Sequence, residues 1–420
     1  ETTGSYTGII GNLSGNMENI KFENVIIDAP KRDFVACIAS TTSKKINNIE
    51  LNNVKVTGKN YIGGLLTKTY EDERTNIKAE KLEIKGEGNY VGGVAGYIPW
   101  ANYNTETKVS NLVVKNSKIS GYNYVGGIIG YGRIKNMESI NNHVIGVKYV
   151  GGITGETFKS DGRVTVEDSI IEGSGAYIGG IAGTNSGIIQ NNYSLINIDT
   201  KAIYTGGIVG FNSKSGDSGV INNLYIGNLY STGDIENRIS GNIVLGRGNY
   251  GYKKQLINGN EQLVEENISL LDDNELFFKN SYEELLFFDN NFDYSQLDNN
   301  IFPKLYYQGT DKLLPNQIDM QLEKNLLKIE NAEIERIDSN SGRVALIINN
   351  PDMLDIKDIT INEMEVTIEK NVLENGKTYI ELKVKAIKYF DNYKLSKIIY
   401  EKDGIENEQK METKINLQFF

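Results

Sequence analysis

The chain has 420 residues, enough for two or three domains with cores of their own, and a net charge of −11 in which lysines are scattered rather than clustered. That distribution excludes the basic stripe a nucleic acid or an anionic membrane would need, and no run of 18 apolar residues offers a membrane span, so neither is expected as a partner. With 44 Gly and 25 Tyr against 5 Pro, 1 Cys and 1 His, the composition points to a mainly β protein without a disulfide framework.

In chain order, the segment up to about position 250 repeats. YVGGVAG at Tyr90 returns as YVGGIIG at Tyr124, YVGGITG at Tyr149, YIGGIAG at Tyr177 and YTGGIVG at Tyr204, with weaker copies at Phe34 and Tyr61. The opening aromatics follow one another at a period of roughly 28 residues, the widest gap being Tyr90 to Tyr124 and the narrowest Tyr124 to Tyr149. A degenerate start at Tyr6 and a degenerate end at Ile239 bring the expected number of units to about nine.

Between these segments run short alternations of aliphatic and polar residues with Asn at their corners, such as NNIELNNVKV from Asn47 and SNLVVKNSKI from Ser110. Units of this length made of short strands predict a parallel β-helix, its coils stacked at about 4.8 Å into a rod of about 43 Å. In that register the aromatics form one ladder and the glycines another. The paired glycines then mark a sharp bend or a close backbone approach.

The longest interval carries an insertion, GYIPWANYNTET, with Tyr97, Trp100 and Tyr103. Extra residues in one repeat map to a loop on one face, and exposed aromatics are common anchors for a partner, so these three are the candidate binding residues. The plainer alternative is that Trp100 folds back on the solenoid.

The domain boundaries expected are 1–250 for the solenoid, 251–317 for a capping and linking segment, and 318–420 for a small β-sandwich. The middle segment changes composition to Leu, Phe, Asp and Asn, and the spacing of Leu276, Phe277, Phe278, Leu285 and Leu286 allows one or two short helices covering the open end of the stack. Within it, Asp289, Asn291 and Asp293 start like a calcium loop, but Tyr294 and Asn300 stand where Gly and Glu belong. The last segment alternates strand patterns with turns at Asn349 and Glu374.

The repeated Tyr-[Val/Ile]-Gly-Gly-[Ile/Leu/Val]-x-Gly resembles the GLUG motif of bacterial surface proteins and of the N-terminal regions of IgA1-specific zinc metallo-endopeptidases. The segment Phe292–Tyr294, then Phe302-Pro303-Lys304-Leu305, then Leu314-Pro315, resembles the end of that family's N-terminal region. The resemblance covers roughly positions 1 to 317. It implies a secreted or cell-wall-attached protein of a Gram-positive bacterium, with zinc in a catalytic domain outside this chain and a host glycoprotein such as immunoglobulin A as partner.

No catalytic or metal site is expected in the chain itself. Zinc hydrolysis needs two histidines on one helix face, and His143 is the single histidine. A coil-corner or solvent-facing role suits it better than a base with no partner. Cys37 takes the place of the second glycine of the repeat, which fits a small buried residue. Carboxylates at Glu71-Asp72-Glu73, Asp161 and Glu167-Asp168 leave a carbohydrate-active enzyme as a third reading, behind the protease region and a stand-alone adhesin binding host protein or glycan.

Overall fold

The computed structural model describes residues 6–11, 13–38, 44–69, 74–99, 109–213, 219–235, 238–242, 246–261, 267–276, 281, 292–293, 304–305, 327–338, 340–362, 364–385, 393–402 and 404–417. They form two compact units, the first holding the chain to Leu271. That unit is a parallel β-solenoid of about eight turns, close to the nine the repeats suggest.

The stack is built by placing each repeat on its own copy. Val91 pairs with Ile62 on one side and Val125 on the other, and Val125 continues to Val150, then Ile178, all in parallel. On the long sheet, Ile49, Ile77, Leu112, Met137 and Val164 form one inward column and each is fully buried. A side chain of that kind contributes about 1.5–3 kcal/mol on burial, so the column is a main source of the unit's stability. Solvent-facing neighbours alternate with it within each short run, as at Ile49–Leu51 and Val54–Gly58, and the phase changes at the left-handed Asn48 and Asn53.

Asparagine makes the corners. Asn48, Asn53, Asn76, Asn111, Asn116, Asn136 and Asn141 all have φ between 49 and 59°, a left-handed turn that Asn tolerates better than most residues. The stacked amides then bond to one another: Asn48 Nδ2 donates to Asn19 Oδ1 at 2.6 Å, Asn53 to Asn24 at 2.6 Å, and Asn141 to Asn116 at 2.7 Å. Corner geometry and coil-to-coil bonding thus come from one residue type.

The paired glycines are required by close approach, since none of them has the positive φ that only glycine favours. A Cβ on Gly127 would lie 2.1 Å from the carbonyl oxygen of Gly152, and one on Gly126 would lie 2.1 Å from that of Ile129. The first glycine packs against its own coil and the second against the next. Cys37, in the second position, is fully buried, and burial pushes its thiol up to about 12.

Parallel pairing runs past residue 250: Asn249–Tyr252 joins Val220–Ile226, and Ile268–Leu271 joins Asn249–Tyr252. One described helix follows, Asp273–Leu276, started by a reciprocal cap in which Glu275 N–H donates to Asp272 Oδ1 and Asp272 N–H to Glu275 Oε2, each at 3.0 Å. Most of segment 277–326, including nearly all of the calcium-like stretch, lies outside the described residues.

The second unit's described residues from Leu327 to Leu417 make two small sheets, antiparallel except where Asn416–Leu417 pairs in parallel with Lys328–Arg336. Val344, Leu346, Leu382, Ile359, Leu395 and Ile398 from both sheets share one buried core. Asn350–Leu354 turns on a side chain that both accepts from Leu354 N–H at 2.9 Å and donates to Thr378 Oγ1 at 2.8 Å.

Gly127→Ala should lower solenoid stability by about 1–3 kcal/mol, the usual cost of overpacking, because the obstruction is backbone on the next coil. Gly15→Ala, where a Cβ meets nothing within 4 Å, should leave it unchanged. Urea unfolding followed by far-UV circular dichroism separates the two outcomes.

Candidate functional site

The aromatic that opens each repeat builds a continuous face. Tyr6, Phe34, Tyr61, Tyr90, Tyr124 and Tyr149 stack with ring centroids 4.5 to 4.9 Å apart, the coil spacing itself. From Phe34 to Tyr149 every ring is carried on a left-handed residue, φ 55 to 63°. That conformation costs a bulky side chain about 1–2 kcal/mol, and a stacked pair on each side, at about 0.5–1.5 kcal/mol each, offsets it. Tyr177 and Tyr204 lack the positive φ, and their separations open to 5.2 and 5.7 Å.

A second row runs beside the first. Lys68, Tyr97, Tyr131, Glu156, Thr184 and Phe211 occupy one register position on successive coils. Tyr97 stacks on Tyr131 at 4.9 Å, meets Tyr90 edge-on at 5.0 Å and has Lys68 Nζ 5.4 Å from its ring centre. Both faces of Tyr97 are therefore covered, and only its edge and hydroxyl reach solvent. Trp100 and Tyr103, the other two candidate residues, lie outside the described residues.

Burial lifts the hydroxyls of Tyr90, Tyr97 and Tyr124 above the ordinary phenol value, with neighbouring tyrosines and Glu156 adding to it for Tyr90. One carboxyl, that of Glu156, stands in the second row among these rings. Glu156 is itself raised by desolvation, against which a hydrogen bond from Thr184 works. Neither its identity nor its environment could be read from a repeat whose flanking positions vary.

The carboxylates singled out in the sequence do not come together. Asp161, mostly buried, lies 3.5 Å from the buried guanidinium of Arg133 and 2.8 Å from Lys159 Nζ, a charge-balancing role. The side chain of Glu167 is buried, whereas Asp168 is exposed on a left-handed corner, φ 46°. Glu71, Asp72 and Glu73 lie outside the described residues. His143 heads the strand His143–Gly146, a third exposed, with Nε2 2.9 Å from Glu172 Oε1.

What the sequence did not disclose are the fully buried polar groups of the solenoid. Arg74 donates to Thr69 Oγ1 at 2.7 Å and to the Lys44 carbonyl at 2.5 Å, and Arg238 to the Tyr252 carbonyl at 3.2 Å. Asn192, Asn223 and Asn249 form an inward amide ladder, Asn192 Nδ2 to Asn223 Oδ1 at 3.0 Å and Asn223 Nδ2 to Asn249 Oδ1 at 3.2 Å. It continues, by register, the column that is aliphatic up to Val164.

Set against known proteins, no family model matches the chain, and no curated protein does. Among solved structures it overlaps a Bacteroides ovatus protein described as a "putative immunoglobulin A1 protease", over 73% of this chain and 95% of that one, at 15% identity and a TM-score of 0.41. At that identity and overlap the likeness says nothing about what this chain does.

Two outcomes are expected. Glu156 has a folded pKa raised above its unfolded value, so the stability it contributes is complete below the ordinary carboxylate value of 4.5 and is lost as pH rises through its folded value. Glu156→Gln should therefore unfold at higher denaturant than the parent at pH 7, with the gap closing towards pH 4. Asp161→Ala, by removing an anionic partner of a buried guanidinium, should cost about 1–3 kcal/mol in the same assay.

Proposed function

We propose that this chain is the non-catalytic recognition and spacer region of a secreted or cell-wall-attached zinc metalloprotease of the IgA1-protease type. The zinc would belong to a catalytic domain elsewhere in the parent protein, and the substrate would be a host glycoprotein such as immunoglobulin A. The observation that carries the reading is the ladder itself: rings stacked without a gap from Tyr6 to Tyr204 make a stiff rod, which is the geometry a spacer needs. The GLUG-like repeats that build it supply the family.

A stand-alone adhesin is the second reading. It is favoured by a local observation: Tyr122, Ile170, Ile203 and Tyr230, all large apolar side chains exposed on the solenoid, gather along two adjoining grooves. Such a gathering on an otherwise polar surface marks a contact site.

Excising residues 90–148 from the full-length protein joins Asn89 to Tyr149 in register and shortens the rod by about 10 Å, two coil spacings. Under the protease reading this slows cleavage of immunoglobulin A by the wall-attached enzyme and leaves hydrolysis of a short fluorogenic peptide unchanged. Equal effects on both substrates, or a reading frame that encodes no metalloprotease domain, would sink the proposal.

A further inference from the structure

Across one junction of the stack the register slips by one residue. Glu167 pairs with Leu195 and Tyr177 pairs with Tyr204, so the stretch from Leu195 to Tyr204 is one residue shorter than the stretch from Glu167 to Tyr177 on which it lies. The missing residue is the corner. Asn141 and Asp168 turn there with φ 50 and 46°, whereas no described residue between Asn191 and Asn222 has a positive φ outside glycine.

The deficit precedes the two strands, so Ile171 and Ile198 both stay buried and Glu172 and Asp199 both face outward, yet no ladder joins them. Ile170–Gly173 accordingly ends one sheet, and Ile198–Thr200 begins another with Leu229–Ser231 and Leu256–Ile257. The amide ladder at the corner reverses across the same junction. Below it, Ser117 and Asn142 N–H reach forward to Asn142 Oδ1 and Ser169 Oγ; above it, Asn228 N–H reaches back to Asn197 Oδ1 at 2.7 Å.

The split opens a trough of about 1230 Å³ on the outer face, continuous at Ser174 and Lys201 with a second of about 470 Å³. Together they exceed the roughly 300–1,000 Å³ of a site for a compact small molecule, so the occupant is extended. At about 3.3 Å per residue the floor from Asp168 to Gly175 is at most about 23 Å long.

We propose that this trough binds an oligosaccharide carrying a carboxylated sugar. A peptide added as a strand is ruled out by space: Cα atoms of Ile170–Gly173 and Ile198–Thr200 still approach within 8 Å, short of the about 9.6 Å an inserted strand needs, and Thr200 Oγ1 already donates to the Gly173 carbonyl at 2.6 Å. A nucleic acid is disfavoured by Asp168, Glu172 and Asp199, which would face its phosphates.

Those carboxylates, with Asn197 and Asn228, suit the vicinal hydroxyls of a sugar, and the apolar faces of its ring suit Tyr230 and Tyr122. Unlike the rings of the aromatic face, these two tyrosines stack on no other ring among the described residues, so their faces are open. Lys148 and Lys201 lie together at the other end, where they would take a carboxylate by charge-assisted hydrogen bonds.

Saturation-transfer NMR on the 420-residue protein tests this with sialyllactose and tri-galacturonate as carboxylated probes and lactose and maltotriose as neutral ones. The carboxylated probes should bind. Lys201→Ala should weaken them by about tenfold, the scale of one charge-assisted contact, with little change for any neutral probe. Tyr230→Ala should weaken every sugar that binds, and Ile26→Ala, exposed and remote, should change nothing. All three positions are exposed enough for unfolding curves to confirm an intact fold. No saturation transfer from any of the four sugars, binding indifferent to both Lys201→Ala and Tyr230→Ala, or an equal loss in Ile26→Ala, overturns the proposal. It does not depend on the protease reading and would hold for an adhesin.

Discussion

Everything in the solenoid depends on backbone reaching backbone at the paired glycines. A Cβ at the second glycine of each full repeat would collide with a carbonyl on the next coil or, at Gly207, with the ring of Tyr225. In the full repeats the glycines let the coils close to the spacing at which parallel hydrogen bonds form, and the one coil with Ala36 and Cys37 there carries nothing larger. Once that distance is set, every other position meets its own copy at the same distance. Aromatics therefore stack, asparagines bond amide to amide, and aliphatics pack into columns from the same constraint. The stack also explains how tyrosines persist in a left-handed conformation that a lone ring would avoid.

A structure made this way is intolerant of phase errors, which makes its departures informative. Between the coil that ends in Tyr177 and the one that ends in Tyr204, the loss of one corner residue coincides with three other changes. The sheet divides at Ile198, the corner ladder reverses at Asn197, and Asn192 stands where the inner column had been aliphatic. The trough is the outward expression of that change. Its lining came not from a motif but from ordinary strand residues on either side of the split.

The repeat architecture was legible because its signal is periodic: each aromatic and each glycine pair is evidence for the next. So was the fate of Cys37, which sits where the repeat demands something small. The aromatic insertion directed attention to Tyr97, whose ring faces prove to be occupied by Tyr131 and Lys68. Sequence could propose exposure there but could not show which faces the neighbouring coils cover. Asp161 and Glu167 were noticed as acids, yet one balances Arg133 and the other is buried, because charge in a loop pattern carries no information about the residue one coil away.

Local chemistry repeated at a fixed interval determined the class of fold, the ladders and the place of the corners, since these need only residue type and spacing. The register between particular coils was decided by tertiary structure alone. The interval between aromatics changes from coil to coil, widest from Tyr90 to Tyr124 and narrowest from Tyr124 to Tyr149, so a one-residue deficit hides among larger differences that loops absorb. Whether such a deficit falls in a loop or at a corner of the stack decides between a harmless variation and a split sheet. Only the pairing of Glu167 with Leu195 and of Tyr177 with Tyr204, with no described left-handed residue between Asn191 and Asn222, reveals that it falls at a corner.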